Sequence, residues 1–168
     1  MFTSKLCTVK ITPEKILEWL ESVKDPEIPV LSLVDLGVIT GISVHGEDVK
    51  IEMTPTFVGC PALDMMKQEI AEVLHKNGVE KVDIEVSFKK PWNSDLISLK
   101  GKEALKLFGL APPGPRQLFA DLDVLERATC PRCNTSNTEL RNIFGATLCR
   151  SIHFCNNCKE AFEQFKSL

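Results

Sequence analysis

The chain has 168 residues, enough for one ordinary domain plus a small module. Apolar residues make up 43% and charged residues 26%, with mean hydropathy close to zero, which excludes a disordered or fibrous chain. No uncharged apolar run approaches the roughly 20 residues of a membrane helix, and Met1-Phe2-Thr3-Ser4-Lys5 lacks the apolar stretch of a secretory signal, so the expectation is a soluble cytoplasmic protein with no membrane partner.

Thr12-Pro13-Glu14 reads as a helix start, with Thr12 as N-cap and Pro13 in the first turn. Ile16, Leu17, Leu20 and Val23 follow on one face, and Pro26 and Pro29 are expected to end that helix. After Gly37 the alternation predicts a strand through Val44. The polar His45-Gly46-Glu47-Asp48 turn then leads into a second strand, where Val49, Ile51 and Met53 alternate with Lys50, Glu52 and Thr54. Pro61 is expected to open a second helix with Leu63, Met66, Ile70, Val73 and Leu74 facing the core and Asn77-Gly78 as its stop. Val82, Ile84, Val86 and Phe88 predict a third strand. The order αββαβ implies an α+β fold, a small mixed sheet with helices on one face. A short helix over Lys100–Phe108, stopped by Gly109, precedes the stiff segment Ala111-Pro112-Pro113-Gly114-Pro115. The expected division is an α+β domain over residues 1–98, a helix and Pro-rich linker over 99–127, and a cysteine module over 128–168.

Seven cysteines are an odd number and cannot all pair; in a reducing compartment they point to metal binding or thiol chemistry. Cys130-Pro131-Arg132-Cys133 and Cys155-Asn156-Asn157-Cys158 are two C-x2-C pairs separated by residues 134–154. Each tight turn aims two sulfurs inward, and two such turns complete a tetrahedron, the pattern of a small β-rich zinc ribbon. Iron in a rubredoxin-like site satisfies the same four thiolates. So short a segment holds little apolar surface, and the metal would supply much of its folding free energy. Cys149 is a fifth thiol of this module, either a packed hydrophobe or a functional thiol, and His153 reads as a packed or surface side chain. From Arg127 onward six Lys/Arg face three Asp/Glu. Four thiolates around a dication would reduce that small positive excess further, which argues against a nucleic-acid partner.

A second constellation lies in the first domain. Asp25-Pro26-Glu27-Ile28-Pro29 follows the first helix, Asp35-Leu36-Gly37 precedes the first strand, and Thr54-Pro55-Thr56-Phe57-Val58-Gly59-Cys60-Pro61 joins the second strand to the second helix. Cys60 falls at or beside a helix N-cap, where free amides and the macrodipole favour a thiolate. A modest depression of its pKa is therefore expected, opposed by Asp25, Glu27 and Asp35. The competing reading is that Cys60 caps and packs while the prolines shape turns.

The segments DPEIPVLSLVDLGVI (Asp25–Ile39) and TPTFVGCP (Thr54–Pro61) resemble the domain of iron–sulfur cluster assembly factors such as SufT. Pro91-Trp92 with Asp95, the run Leu107–Pro113, and the CPRC, FGATLC, CNNC and FEQFK segments of the tail resemble the phenylacetate-degradation PaaD subfamily, so the resemblance spans nearly the whole chain. One small departure is Ala146-Thr147-Leu148, where that subfamily often has Ser-Thr-Ala. The resemblance implies an accessory protein of the multicomponent phenylacetyl-CoA epoxidase, helping to mature the reductase's iron–sulfur cluster or the di-iron site. Its partners would be the epoxidase subunits or the iron–sulfur reductase. Structural zinc in the ribbon and a transiently held iron ion or iron–sulfur cluster would be its cofactors, with Cys60, Asp25, Glu27, Asp35, Thr54 and Cys149 as the candidate thiol and pocket. The alternative is a structural subunit of the oxygenase complex that docks through its ribbon, with Cys60 inert. The three histidines, His45, His75 and His153, form no Glu-x-x-His set of a di-iron centre, in keeping with a role that is not catalytic on its own.

Overall fold

A computed structural model describes residues 11–114 and 128–167. The expected absence of a signal at residues 1–5, and the linker and boundary from Pro115 to residue 127, lie outside the described residues.

Helix α1 (Pro13–Leu20) starts as its sequence requires: Thr12 is extended and its hydroxyl accepts the Lys15 amide at 3.3 Å. Ile16 and Leu20 are buried on its inner face, while Leu17 is partly exposed. The helix ends before the prolines. Ser22 and Val23 donate three residues back, to Trp19 and Leu20, and the Ser22 hydroxyl competes for the Trp19 carbonyl at 2.7 Å, so the α-helical ladder stops at Leu20. The chain from Val23 to Val38 is then a core-forming loop, in which Ile28, Leu31, Leu33, Leu36 and Val38 are all buried.

Strands β1 (Ile39–His45) and β2 (Asp48–Met53) form the expected antiparallel hairpin, with a register shift between Ile39 and Gly41. Val49, Ile51 and Met53 of β2 are fully buried. β3 (Lys81–Val86) lies parallel to β2, so the three-stranded sheet has the order β1-β2-β3 and is mixed. A parallel neighbour needs a crossover, and α2 (Leu63–Lys76) supplies it, burying Met66, Ile70 and Leu74. Phe88 falls outside β3 and is largely exposed.

After β3, the 3-10 turn Ser94–Leu96 leads into α3 (Leu99–Phe108), which is capped by the Ser98 hydroxyl and closed by Gly109 in the left-handed region. Gly37, at φ +73°, lies so close to the Leu96 carbonyl that a Cβ there would collide with backbone. The supposed linker is partly built into the second sheet: β4 (Leu110–Ala111) runs parallel to β7 (Ala161–Phe165). With β5 (Thr138–Asn142) and β6 (Arg150–Cys155) it makes a four-stranded sheet of order β4-β7-β6-β5. The ribbon's own buried cluster is small, Ala111, Ala128, Cys130, Cys155 and Phe162. Phe165 instead joins the core of the first domain, 5.8 Å from the ring of Trp92, whose indole N–H donates to the Leu36 carbonyl at 3.0 Å. Among the described residues no helix is long and apolar enough to cross a membrane.

Candidate functional site

The four cysteines of the C-x2-C pairs converge. Their sulfurs all lie within 4.8 Å of one another, with Cys130–Cys158 at 3.7 Å and Cys133–Cys155 at 3.5 Å. Four sulfurs about 2.3 Å from a common centre stand roughly 3.8 Å apart in a tetrahedron, so the donor set and its spacing fit a zinc-type ion. Cys130 and Cys155 are buried, and Cys133 and Cys158 are half-buried. The Thr135 amide and the Asn157 side chain hold the Cys133 thiol down to about 6, whereas burial and the neighbouring sulfurs push Cys158 up to about 12. His153 is no ligand. Its ring stacks on Phe162 at 5.5 Å, Nε2 meets the Ser151 hydroxyl at 3.0 Å, and Nδ1 is buried without a partner. Among the described residues no other group of three or more His, Cys, Asp or Glu side chains is so closely set.

A second site lies where the ribbon meets the first domain. A cavity of about 290 Å³ is lined on one side by Asp25, Glu27, Phe57 and Cys60, and on the other by the segment Phe144–Cys149 and by Phe165. Cys60 and Cys149, 89 positions apart in the chain, therefore face one space. Asp25 is placed by its own turn: Oδ1 accepts the Glu27 amide at 2.9 Å and the Ile28 amide at 2.8 Å. Burial outweighs those two bonds and raises the Asp25 pKa, with Glu27 adding to the effect.

Cys60 occupies the turn ahead of α2. The helix begins two residues later than Pro61, because Leu63 donates to Cys60 across a tight turn and the first α-helical bond runs from Met66 to Ala62. The expected depression of the Cys60 pKa is not found. Burial pushes the thiol up and the Glu27 and Asp25 carboxylates add to it, against the lowering pull of the Ala62 and Leu63 amides. Cys149 is likewise raised by burial, with the Thr147 hydroxyl 3.0 Å from its sulfur and Arg150 pulling the other way. The same two carboxylates, Glu27 and Asp25, act on both thiols.

Two residues grouped with this pocket from sequence sit elsewhere. Asp35 accepts from the Ser32 hydroxyl at 2.8 Å and the Ser98 hydroxyl at 2.7 Å, with Lys100 at 3.5 Å. Burial acts to raise its pKa, but these three partners outweigh it and hold the carboxyl below its ordinary value. Thr54 is buried just past the end of β2, its amide donating to the Val38 carbonyl and its hydroxyl 3.4 Å from that of Thr40. Asp35 thus ties the loop before β1 to the start of α3, and the adjoining Leu36 carbonyl seats Trp92.

Arg150 is the residue that sequence reasoning did not single out. Buried at the start of β6, it donates from Nη2 to the Glu27 carbonyl at 2.7 Å and from Nη1 to Glu163 at 3.0 Å. A basic residue at the edge of a strand reads as solvent-facing, and nothing local reveals a carbonyl from 123 positions away.

Two family models match the chain. Residues 13–88 match the iron–sulfur cluster assembly protein family and residues 116–166 match the PaaD zinc beta ribbon domain. A protein of Escherichia coli (strain K12), named as one of the subunits of a 1,2-phenylacetyl-CoA epoxidase, is 35% identical over 94% of this chain and 96% of its own length. A protein of Porphyromonas gingivalis (strain ATCC BAA-308 / W83), named as an Fe-S protein maturation auxiliary factor, is 38% identical over 52% of this chain and 84% of its own length. The crystal structure of a domain of unknown function from Bacillus anthracis superposes with a TM-score of 0.52 at 29% identity, covering 55% of this chain and 89% of that one. The chain therefore belongs to the PaaD family, an iron–sulfur cluster assembly domain followed by a PaaD zinc β-ribbon with a four-cysteine metal site.

Proposed function

We propose that this protein is a maturation factor for a metal centre of a multicomponent phenylacetyl-CoA epoxidase, either the reductase's iron–sulfur cluster or the di-iron site. The observation that carries this reading is the cavity of about 290 Å³ in which the assembly-domain thiol Cys60 faces Asp25 and Glu27. Sulfur and carboxylate donors together suit a borderline divalent ion such as ferrous iron better than hard calcium or magnesium. In this account iron or a cluster is cargo, held by Cys60 and passed on. The ribbon metal is structural zinc, whose four protein ligands leave no open position for chemistry. Asp25 and Glu27 supply negative charge beside the thiol. Asp35 and Thr54 lie away from the pocket and fix the loop before β1 and the chain leaving β2. The working units are an α+β domain over 1–98, a connecting helix and linker over 99–127 and the ribbon over 128–168, with cytoplasmic residence where iron delivery occurs.

The test is growth on phenylacetate of a host lacking its own copy. Cys60→Ser should fold normally, retain the ribbon's zinc and fail to support growth; full growth would leave Cys60 as a packed side chain and nothing more. The second reading, a structural component of the oxygenase complex that docks through its ribbon, is favoured by Ile143, Phe144 and Leu148, which are 42%, 54% and 49% exposed. It predicts the reverse: Cys60→Ser supports growth, while Phe144→Ser abolishes recovery of the epoxidase subunits with this protein.

A further inference from the structure

Cys149 reaches the cavity because a set of bonds holds its loop there. Its carbonyl accepts the Lys166 amide at 2.9 Å, and the preceding Leu148 carbonyl accepts the Lys166 ammonium at 2.7 Å. Glu163 takes the Ala146 amide at 2.6 Å on one oxygen and Arg150 Nη1 at 3.0 Å on the other. Gly145 leaves no space for a side chain: a Cβ would meet the Glu163 carboxylate at 2.5 Å and Arg150 Cβ at 2.9 Å. Arg150 then spans the junction to the Glu27 carbonyl at 2.7 Å, in the same turn that presents the Asp25 and Glu27 carboxylates. A buried guanidinium is costly to desolvate. This one leaves its Nε without a partner; Nη1 pairs with Glu163 inside the ribbon, and Nη2 makes the bond that crosses to the first domain.

We infer that Cys149 is the second thiol of the Cys60 site, that the two together bind a borderline divalent cation of the ferrous or cobaltous class, and that Arg150 is the positioning residue that keeps Cys149 there. The inference rests on the proposed role of Cys60 and adds a ligand from the ribbon. On binding, each thiol gives its proton to solvent and two metal–sulfur bonds form, so one M²⁺ enters as two H⁺ leave and no electron changes hands. Nearby carboxylates balance the ion's charge, and the cavity has room for water on its remaining positions. The ribbon is then more than a separate fold: its zinc holds the end of β6, and the turn leading into that strand carries half of the cargo site.

The experiment uses the full chain with its ribbon saturated with zinc, titrated anaerobically with Co²⁺ and followed by sulfur-to-cobalt charge-transfer absorption, with zinc content measured on each sample. Wild type should bind one Co²⁺ beyond the ribbon metal. Cys149→Ser and Cys60→Ser should each weaken binding at least tenfold and remove part of the charge-transfer band. Arg150→Met should weaken it by about tenfold or more, as loss of a ligand's supporting contact does, at unchanged zinc content. Wild-type binding by Cys149→Ser, with Cys60→Ser impaired, overturns the two-thiol site and leaves the Cys60 reading standing. Wild-type binding by Cys60→Ser overturns both. Should Arg150→Met lose zinc, bridging of Cys60 to Cys149 by a bifunctional alkylating reagent is read in wild type and in the milder Glu163→Gln. Efficient bridging in wild type, reduced in the variant, supports the positioning role, and no bridging in wild type overturns the shared site.

Discussion

Replacing Cys133 with Ser removes one of four sulfurs from the ribbon site while leaving its volume nearly unchanged. Structural zinc sites of this kind contribute about 10–16 kcal/mol of apparent binding free energy. Shared over four ligands, that is roughly 3–4 kcal/mol for one thiolate, or about two to three orders of magnitude in affinity. The ribbon cannot absorb such a loss, because its own buried cluster is a few residues around the sulfurs, Ala111, Ala128 and Phe162 among them. The first domain can, since Ile16, Leu20, Val49, Ile51, Met53, Ile70 and Leu74 belong to a far larger core, to which the ribbon adds one buried side chain, Phe165. Chelator competition should therefore strip zinc from Cys133→Ser at concentrations that leave wild type loaded. Proteolysis should then cut within residues 128–168 while α1, α2 and the β1-β2-β3 sheet stay folded. Loss of Phe165 from Trp92, now 5.8 Å away, should shift tryptophan emission to the red. Retained zinc under chelator, with an unchanged emission maximum, would refute the four-thiolate site.

The raised pKa of Asp25 means that folding favours its neutral form, so its charge costs stability once pH climbs above the ordinary carboxyl value of 3.8. Asp25→Asn, which keeps the turn's acceptor oxygen, should raise the thermal midpoint at pH 7, and the gain should vanish below 3.8; a lower midpoint at pH 7 would contradict it. Gly37→Ala places a Cβ against the Leu96 carbonyl at a φ of +73° and should cost about 2–5 kcal/mol in urea unfolding. A cost below about 1 kcal/mol would show that the Leu96 turn yields freely. In a variant keeping only Cys60 and the four cysteines of the C-x2-C pairs, the pH midpoint of alkylation should lie above the ordinary thiol value of 9.0 and fall in Asp25→Asn. A midpoint below 9.0 would mean that the α2 amides win over burial and the carboxylates.

What was legible in the sequence follows how local each signal is. The Thr12 cap, the β2 alternation and the Gly109 stop are set within a few residues, and the structure reproduces them. The two C-x2-C pairs carry their geometry in their spacing, and their sulfurs meet as expected. The Asp25–Gly37 segment was legible as a motif but not as a core. Its polar and proline residues dominate the pattern, yet Ile28, Leu31, Leu33 and Leu36 are buried beneath them. The fate of Asp35 depended on Ser98, 63 positions away, and no local pattern reports such a partner. The sequence points to a lowered Cys60 pKa because a helix N-terminus is visible in it, whereas the burial and the approach of Glu27 that raise the thiol are not. That Cys149 lines the same cavity as Cys60 is set by tertiary contacts, among them the β6–β7 pairing and the Arg150 bond to Glu27, which no local pattern reports.

The maturation role stands most directly on the metal content of the client. Epoxidase components, the iron–sulfur reductase and the di-iron protein alike, would be purified from cells carrying wild type, Cys60→Ser or no copy of this protein, and their iron and acid-labile sulfide measured per chain. A maturation role predicts that one of these components is iron-deficient in the cells without a copy and equally deficient with Cys60→Ser, although the variant protein is present at normal level with its zinc. Full iron and sulfide in every component from Cys60→Ser cells would contradict it.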